Sequence, residues 1–434
     1  MIDIKNFFEN IKSIFKKELT ILWIVSVLLG FALIALQIKN KLPLVTGDFV
    51  FISILALCVA LYRPRWMFHL FVSLVPLENV IFASGSLPIQ LRPYQFAGAI
   101  LAVAVIILWI VKRLNFSLLK PTWIDWLVFS LVPLNFLSLI NSPNKNISLK
   151  NDLILFSFVL LYYIARNFLR KKSDFIEATF FFLASNLVVL GYGFWQIFAD
   201  KFGARSFEVM FGRPNATFAE ADWLGIFLCF ALAINLTLAL SLKKGNIARI
   251  GNYIFVFLNL TLLILTLSRS AWIGAAAVIF FFLGFNLFGK GGRNIFFTPR
   301  QFASRFLIIF LISLVSLTAV HFGKLSKFDI FDRARSAATN KQKITIACDN
   351  SHNIPETISG TDELSKYNCR FINLEEIASS KSQGKFVTEI FRKDPNVMTR
   401  SQIYKKSFEI LREHPALGVG FGTITQALGT DERG

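Results

Sequence analysis

The chain has 434 residues, of which 54% are apolar and only 17% charged, and its formal net charge is +19. Globular domains carry roughly a quarter charged residues, so this composition excludes an ordinary soluble enzyme, and so much apolar material also excludes a disordered chain. Four cysteines in this length exclude a disulfide scaffold and a cysteine-rich metal module. The composition therefore predicts a polytopic membrane protein.

Eleven apolar runs follow one another along the chain. A bilayer core about 30 Å thick needs about 20 apolar residues per helix, so we predict an all-α integral membrane protein with about eleven transmembrane helices. The runs lie at about 20–37, 48–62, 66–84, 94–111, 122–141, 152–169, 174–198, 220–242, 251–268, 271–289 and 303–321.

The basic residues predict the orientation of these runs. With the N-terminus in the cytoplasm, the inner loops hold about twice as many lysines and arginines as the outer loops. The sequence thus predicts a multi-pass protein of the cytoplasmic (inner) membrane, with residues 1–321 as the transmembrane domain. Because the positive charge is explained by topology, we expect membrane lipids and no nucleic acid as partners.

An odd number of spans places residues 322–434 outside, where their polar composition predicts a folded extracytoplasmic loop domain. Within it, 400–414 has the pattern of an amphipathic helix, with Thr399 as a candidate N-cap, and 418–422 is a glycine-rich turn. One helix face would carry Tyr404, Phe408 and Leu411, and the neighbouring lysines and arginines could face headgroups, substrate phosphates or solvent.

Two cysteines, Cys348 and Cys369, lie in the same outer region. Oxidation is possible there, so a disulfide between them is open, but spacing alone cannot establish its geometry.

Intramembrane charges mark function because they are expensive in lipid. Glu78 is the only acidic residue well inside a run, and His69 lies in the same run. Asp125, Glu177 and Asp222 fall at helix ends, where interfacial water suffices. Proton- or sodium-coupled transport needs more midplane polar groups than this. A transporter is therefore disfavoured.

Two outer arginines are the best candidates for chemistry. Arg213 lies in the stretch GRPNATF before the eighth run, and Arg269 lies in LSRSAW between the ninth and tenth runs. Each could snorkel to the interface, or the pair could clamp a diphosphate through paired guanidinium donors. Hydroxyl donors could come from Thr217, Ser268 and Ser270.

These motifs resemble the O-antigen ligase and polymerase superfamily, which are polytopic C-type glycosyltransferases. The resemblance rests on Arg213 with NATF and the following WLG, on LSRSAW, and on 400–422, which ends in EHPALGVGFG. It covers about residues 205–425, and the motifs come in the family's order.

The resemblance implies transfer of a glycan from an undecaprenyl-diphosphate donor to a glycan or lipid A-core-type acceptor, without cofactor, nucleotide sugar or metal. Arg213 and Arg269 would be catalytic by binding the donor diphosphate. Substrate contacts would come from Thr217, Ser268, Ser270, Gly418 and Gly420.

The resemblance also implies a histidine after the glycine turn, acting as general base, and a twelfth helix. Neither lies within these 434 residues, which predicts a C-terminally incomplete chain. His352 and His414 do not match the position of that histidine, and neither is assigned as the base.

Two alternatives stay open, and a third is disfavoured by the sequence. Ligase and polymerase differ in the acceptor, which the sequence does not reveal. A non-enzymatic transporter or polysaccharide-export protein is the competing class. A metal-dependent oligosaccharyltransferase needs acidic ligands in an early outer loop, where only Asp48 is present, while Asp329 and Asp332 have the pattern of solvated residues.

Overall fold

The structure is a computed structural model in which most of the chain is helical. It describes residues 17–83, 90–199, 202, 204, 206, 210, 212–241, 247–288, 299–339, 341–350, 354–373, 376–393 and 395–427. His352 lies outside these ranges.

Each of the eleven apolar runs contains a helix. Their bounds are α1 (Lys17–Ile38), α2 (Thr46–Tyr62), α3 (Pro64–Leu74), α4 (Pro93–Ile110), α5 (Trp123–Ser138), α6 (Lys145–Phe168), α7 (Lys172–Ala199), α8 (Ala221–Ser241), α9 (Ile247–Leu265), α10 (Arg269–Phe288) and α11 (Pro299–Phe322).

Eight helices in the described part of the chain are long and apolar enough to cross a bilayer, namely α1, α4 to α9 and α11. Helices α2 and α10 are apolar but shorter. The all-α membrane class is therefore consistent with the structure, and the count of eleven spans stays a prediction.

The third run differs most from its expectation. Its helix α3 has 11 residues, about 16 Å of rise, and cannot cross the bilayer core alone. Pro76 lacks the backbone donor that a continued helix would need and its ring would clash with the preceding turn. Residues 75–83 therefore leave the helix, and Glu78 lies in this irregular segment rather than within a span.

Two compact units are formed by the chain, the first by residues 1–105 and 171–335 and the second by 106–170 and 336–434. In the first unit, α8 packs against α9 and α10, α9 packs against α11, and α7 packs against α1 and α3. Its core is built of buried leucines and alanines with Phe218 and Phe227. The domain boundary predicted at residue 321 refers to membrane placement and stays a prediction.

The second unit contains the α5–α6 pair and a small sheet that the sequence analysis did not predict. The strands are β1 (Lys341–Cys348), β2 (Thr357–Ile358), β3 (Cys369–Phe371) and β4 (Phe386–Lys393), in the order β2-β4-β1-β3. Only the β2–β4 pair is parallel. Alternate residues of β1, namely Ile344, Ile346 and Cys348, form its core with Ile358 and Ile390.

A disulfide joins Cys348 to Cys369, which are opposite each other in the β1–β3 register. The pairing that spacing left open is thus compatible with the strand geometry.

Short helices complete the C-terminal region. They are α12 (Ile330–Thr339), α13 (Ile377–Ser382), α14 (Pro395–Glu413) and α15 (Ile424–Ala427). The predicted amphipathic helix is α14, but it begins at Pro395, so Thr399 lies inside the helix and is not its N-cap. Its apolar face is exposed, with Tyr404 at 70%, and the surface that this face meets stays a prediction.

Candidate functional site

The second arginine motif forms a tight reversal at one end of the first unit. Helix α9 ends at Leu265 and α10 begins at Arg269, so three residues turn the chain. Leu267 takes a left-handed φ of +54°, and the Ser268 Oγ accepts a hydrogen bond from the Ala271 amide at 3.3 Å as an N-cap. The motif therefore places a helix C-terminus beside a capped helix N-terminus.

Arg213 connects the first motif directly to this turn. Its Nε donates to the Thr266 carbonyl oxygen at 2.5 Å, and its Nη2 donates to the Asp222 carboxylate at 2.6 Å. The side chain is only 17% exposed, so it does not snorkel freely. Nη1 has no hydrogen-bond partner among the described residues, which leaves one edge of the guanidinium able to donate to a ligand.

A buried glutamine of α7 holds the loop of the first motif. The Gln196 Oε1 accepts the Ala216 amide at 2.7 Å, and its Nε2 lies 3.4 Å from the Asn215 Oδ1. Ala216 has a φ of +47°, which a residue with a side chain adopts only when its surroundings fix it. On the opposite side, the Asn79 amide donates to the Thr217 carbonyl at 2.8 Å. Both partners, Gln196 and Asn79, lie outside the two arginine motifs of the sequence.

We expect Gln196→Leu to destabilise this loop. The substitution removes the acceptor of a buried amide, which costs about 1–3 kcal/mol, and it releases the strained backbone at Ala216. Thermal unfolding in detergent should show a lower midpoint. Trp195→Leu is the matched control because Trp195 precedes Gln196 on α7 but is 41% exposed, and an equal loss in both variants would contradict this role.

Three hydroxyl groups predicted as donors lie in the two loops. Thr217 is fully buried, and its Oγ1 has no hydrogen-bond partner within the described ranges. Ser268 and Ser270 hydrogen-bond each other through their Oγ atoms at 3.0 Å, and Ser270 is exposed while Ser268 is buried. The structure thus brings five predicted site residues to one end of the unit: Arg213, Thr217, Ser268, Arg269 and Ser270.

The starts of α8 and α10 lie side by side at the same end. A Cβ added at Gly225 would lie 2.4 Å from the Ala271 Cβ, so only glycine allows this approach without a shift. Helix N-termini carry positive partial charge and unpaired amides, and both attract anions. Both helix starts lie at the same end of the unit as Arg213 and Arg269, together with the Asp222 carboxylate that pairs with Arg213.

A third arginine reaches this turn from α12. The Arg333 Nε donates to the Leu267 carbonyl oxygen at 3.3 Å. Ile330, one helical turn earlier, is buried in a cluster with Leu265 and Leu267. These contacts join segments 66 residues apart, so the sequence patterns did not indicate Arg333. In the sequence it is one more arginine beyond the eleventh run.

The acidic residue of the third run borders the first motif. The Glu78 carboxylate lies 3.8 Å from Arg92. Its neighbour Asn79 contacts Thr217. The irregular segment after α3 therefore lies against the loop of Arg213.

Three ionisable residues of the spans that the sequence singles out, His69, Asp125 and Glu177, have charged neighbours. His69 is 1% exposed and lies 3.2 Å from the Glu177 carboxylate, which also contacts Arg65 at 3.3 Å. Asp125, expected to be hydrated, is fully buried and pairs with Arg166 at 2.7 Å. The expectation of interfacial hydration was wrong for Asp125 and Glu177, because neighbouring helices supply the counter-charges.

The glycine-rich turn belongs to the second unit and packs on the start of α6. Gly418 and Gly420 have φ values of +65° and +91°. A Cβ at Gly420 would meet Ser142 and Ser148 within 2.7 Å, and Asn151 donates to the Phe421 carbonyl at 3.3 Å. Packing explains why glycine is needed at 420, and the predicted substrate contacts of Gly418 and Gly420 stay predictions.

No group of three or more histidine, cysteine, aspartate or glutamate residues that could hold a metal ion occurs in the part of the chain that the structure describes. Asp329, one candidate ligand for a metal-dependent enzyme, instead accepts the Phe331 amide at 2.8 Å and caps α12. The acidic residues that follow α11 thus have a structural explanation.

The family comparison covers the second arginine motif, whose turn Arg333 contacts, and the glycine-rich turn. The Wzy_C family model, described as O-Antigen ligase, matches residues 254–433. Residues 254–433 belong to the O-antigen ligase family. The match includes Arg269 but begins after Arg213. The Arg213 motif is linked to the matched region by the hydrogen bond from Arg213 to Thr266. No curated protein matches the chain, and no solved structure matches it.

Proposed function

We propose that the chain transfers a glycan from an undecaprenyl-diphosphate carrier to an acceptor sugar at the outer face of the cytoplasmic membrane. The observation that carries the proposal is the position of Arg213. It hydrogen-bonds the turn of the O-antigen ligase motif through Nε and keeps Nη1 without a described partner. An arginine held in this way presents paired donors to a phosphate.

The proposed reaction is a displacement at the anomeric carbon of the donor glycan. The acceptor hydroxyl oxygen forms a bond to that carbon, the carbon–oxygen bond to the diphosphate breaks, and the hydroxyl proton passes to a base that is not assigned. Arg213, Arg269 and the two helix N-termini would stabilise the charge that develops on the leaving diphosphate. This chemistry needs no metal, nucleotide sugar or other cofactor.

Reconstitution tests the proposal directly. Purified protein in detergent is mixed with an undecaprenyl-diphosphate-linked oligosaccharide and with an acceptor glycan, and the products are separated by gel and mass spectrometry. A single addition to a lipid A-core acceptor indicates a ligase, whereas a ladder of donor repeats indicates a polymerase. Movement of intact lipid-linked glycan across a vesicle membrane, without transfer, would support the transporter class instead.

The outer placement of the C-terminal region is supported by the Cys348–Cys369 disulfide, because such bonds persist in oxidising compartments. We expect protein isolated from cells with alkylation before reduction to carry label at Cys58 and Cys229 only. Cys348→Ser and Cys369→Ser should each expose one further thiol. The bond closes a loop of sequence separation 21, so its loss should reduce the stability of the sheet by about 3 kcal/mol.

Recovery of four free thiols from wild-type protein would contradict both the disulfide and the outer placement. Cysteine probes near Asn215, at the exposed Glu220, and at Glu363 provide an independent test, since both should react with impermeant reagents from outside.

A further inference from the structure

Arg333 contacts the same turn as Arg213. The two guanidinium groups donate to the carbonyls of consecutive residues, Thr266 and Leu267. Neighbouring Cα atoms are about 3.8 Å apart, so the two guanidinium groups bind consecutive peptide units of the turn. The second family arginine, Arg269, follows two residues later.

The placement of Arg333 is set by the fold of its helix. Asp329 caps the start of α12 by accepting the Phe331 and Asp332 amides. Ile330 is 6% exposed and packs in the cluster of Leu267 and Val320. Residues three apart share a helix face, so the packing of Ile330 directs Arg333 towards the turn.

We propose that Arg333 is a third arginine of the donor site and that it selects a diphosphate over a monophosphate. This inference rests on the proposed function. A diphosphate presents more oxygen atoms and charge than one Arg pair satisfies, and a third guanidinium beside the same turn supplies further N–H donors. A monophosphate can engage fewer of these donors, so the affinity difference between the two lipids depends on Arg333.

Capping is the structural alternative, because the last carbonyls of α9 need donors in any case. Arg333→Gln separates the two roles, since a glutamine amide can still donate to the Leu267 carbonyl but carries no charge. Arg333→Ala removes both. Arg335→Ala is the matched control, as this arginine is exposed and lies two residues further along the same helix.

The experiment measures binding of undecaprenyl diphosphate and undecaprenyl monophosphate to the purified full chain in detergent. We expect wild-type protein and Arg335→Ala to prefer the diphosphate. Arg333→Gln should unfold at the wild-type temperature and bind diphosphate at least about tenfold more weakly, with a smaller change for monophosphate. In transfer assays, the KM for donor should rise more than kcat falls.

Unchanged diphosphate affinity in Arg333→Gln, with a preference intact in wild type, would overturn the role of Arg333 and leave the proposed function standing. Absence of any diphosphate preference in wild-type protein would instead count against the proposed function itself.

Discussion

Arg213→Ala is expected to reduce glycan transfer by about 10²–10³-fold, the usual loss when one donor to a developing negative charge is removed. Arginine at this position forms two contacts, to Thr266 and Asp222, and still has Nη1 for the substrate. The measurement is turnover of a lipid-linked donor by purified protein, together with accumulation of that donor in cells.

Two further substitutions make the result specific. Arg213→Lys keeps the charge but loses the planar fork, so we expect partial activity, about tenfold to a hundredfold below wild type. Arg249→Ala is the control, because Arg249 lies at the start of α9, far along the helix from Thr266, and donates to Tyr253 at 3.1 Å. Wild-type turnover in Arg213→Ala, with the protein folded and inserted, would contradict the proposed role of Arg213 in binding the donor diphosphate.

Gly225→Ala is expected to disturb the site through packing alone. The new Cβ would lie 2.4 Å from the Ala271 Cβ, and such overpacking costs about 1–3 kcal/mol. Since α10 starts two residues before Ala271, its displacement should move Arg269 and reduce transfer by at least about tenfold. The readouts are turnover and the thermal unfolding midpoint in detergent.

A second substitution, Ala271→Gly, should restore the activity that Gly225→Ala removes. In the double variant Gly225→Ala with Ala271→Gly, one helix again has a Cβ at the crossing and the other has none. We expect most of the activity to return, so that the two substitutions are strongly non-additive. Gly284→Ala on α10 is the control, because a Cβ there meets nothing within 4 Å. Failure of the double variant to recover would show that Gly225 matters for another reason.

Long apolar runs were sufficient to predict the helices, because burial in lipid requires them to be continuous. The ends of the runs were less predictable. The third run contains Pro76, whose effect on the helix outweighs the apolar residues around it. Strand β1 alternates Ile344, Ile346 and Cys348 towards its core, a period-two pattern in the sequence that an all-helical interpretation passed over.

The two arginine motifs were predicted from short sequence patterns, and the structure brings them together. Their supports could not be predicted in this way. Gln196, Asn79 and Arg333 contact the motifs from segments distant in sequence, and amide or guanidinium groups have no periodicity that reveals such partners. Only the folded chain shows that each loop depends on a neighbouring helix.

The anchored state of Arg213 has a consequence for the entropy of substrate binding. An arginine side chain that is ordered only on binding loses rotamer freedom worth about 1.5–2 kcal/mol at that step. Here the Thr266 carbonyl and the Asp222 carboxylate fix the guanidinium when the protein folds, so this loss falls on folding. A lipid diphosphate would then meet a rigid donor, and its binding should show little ordering of the protein.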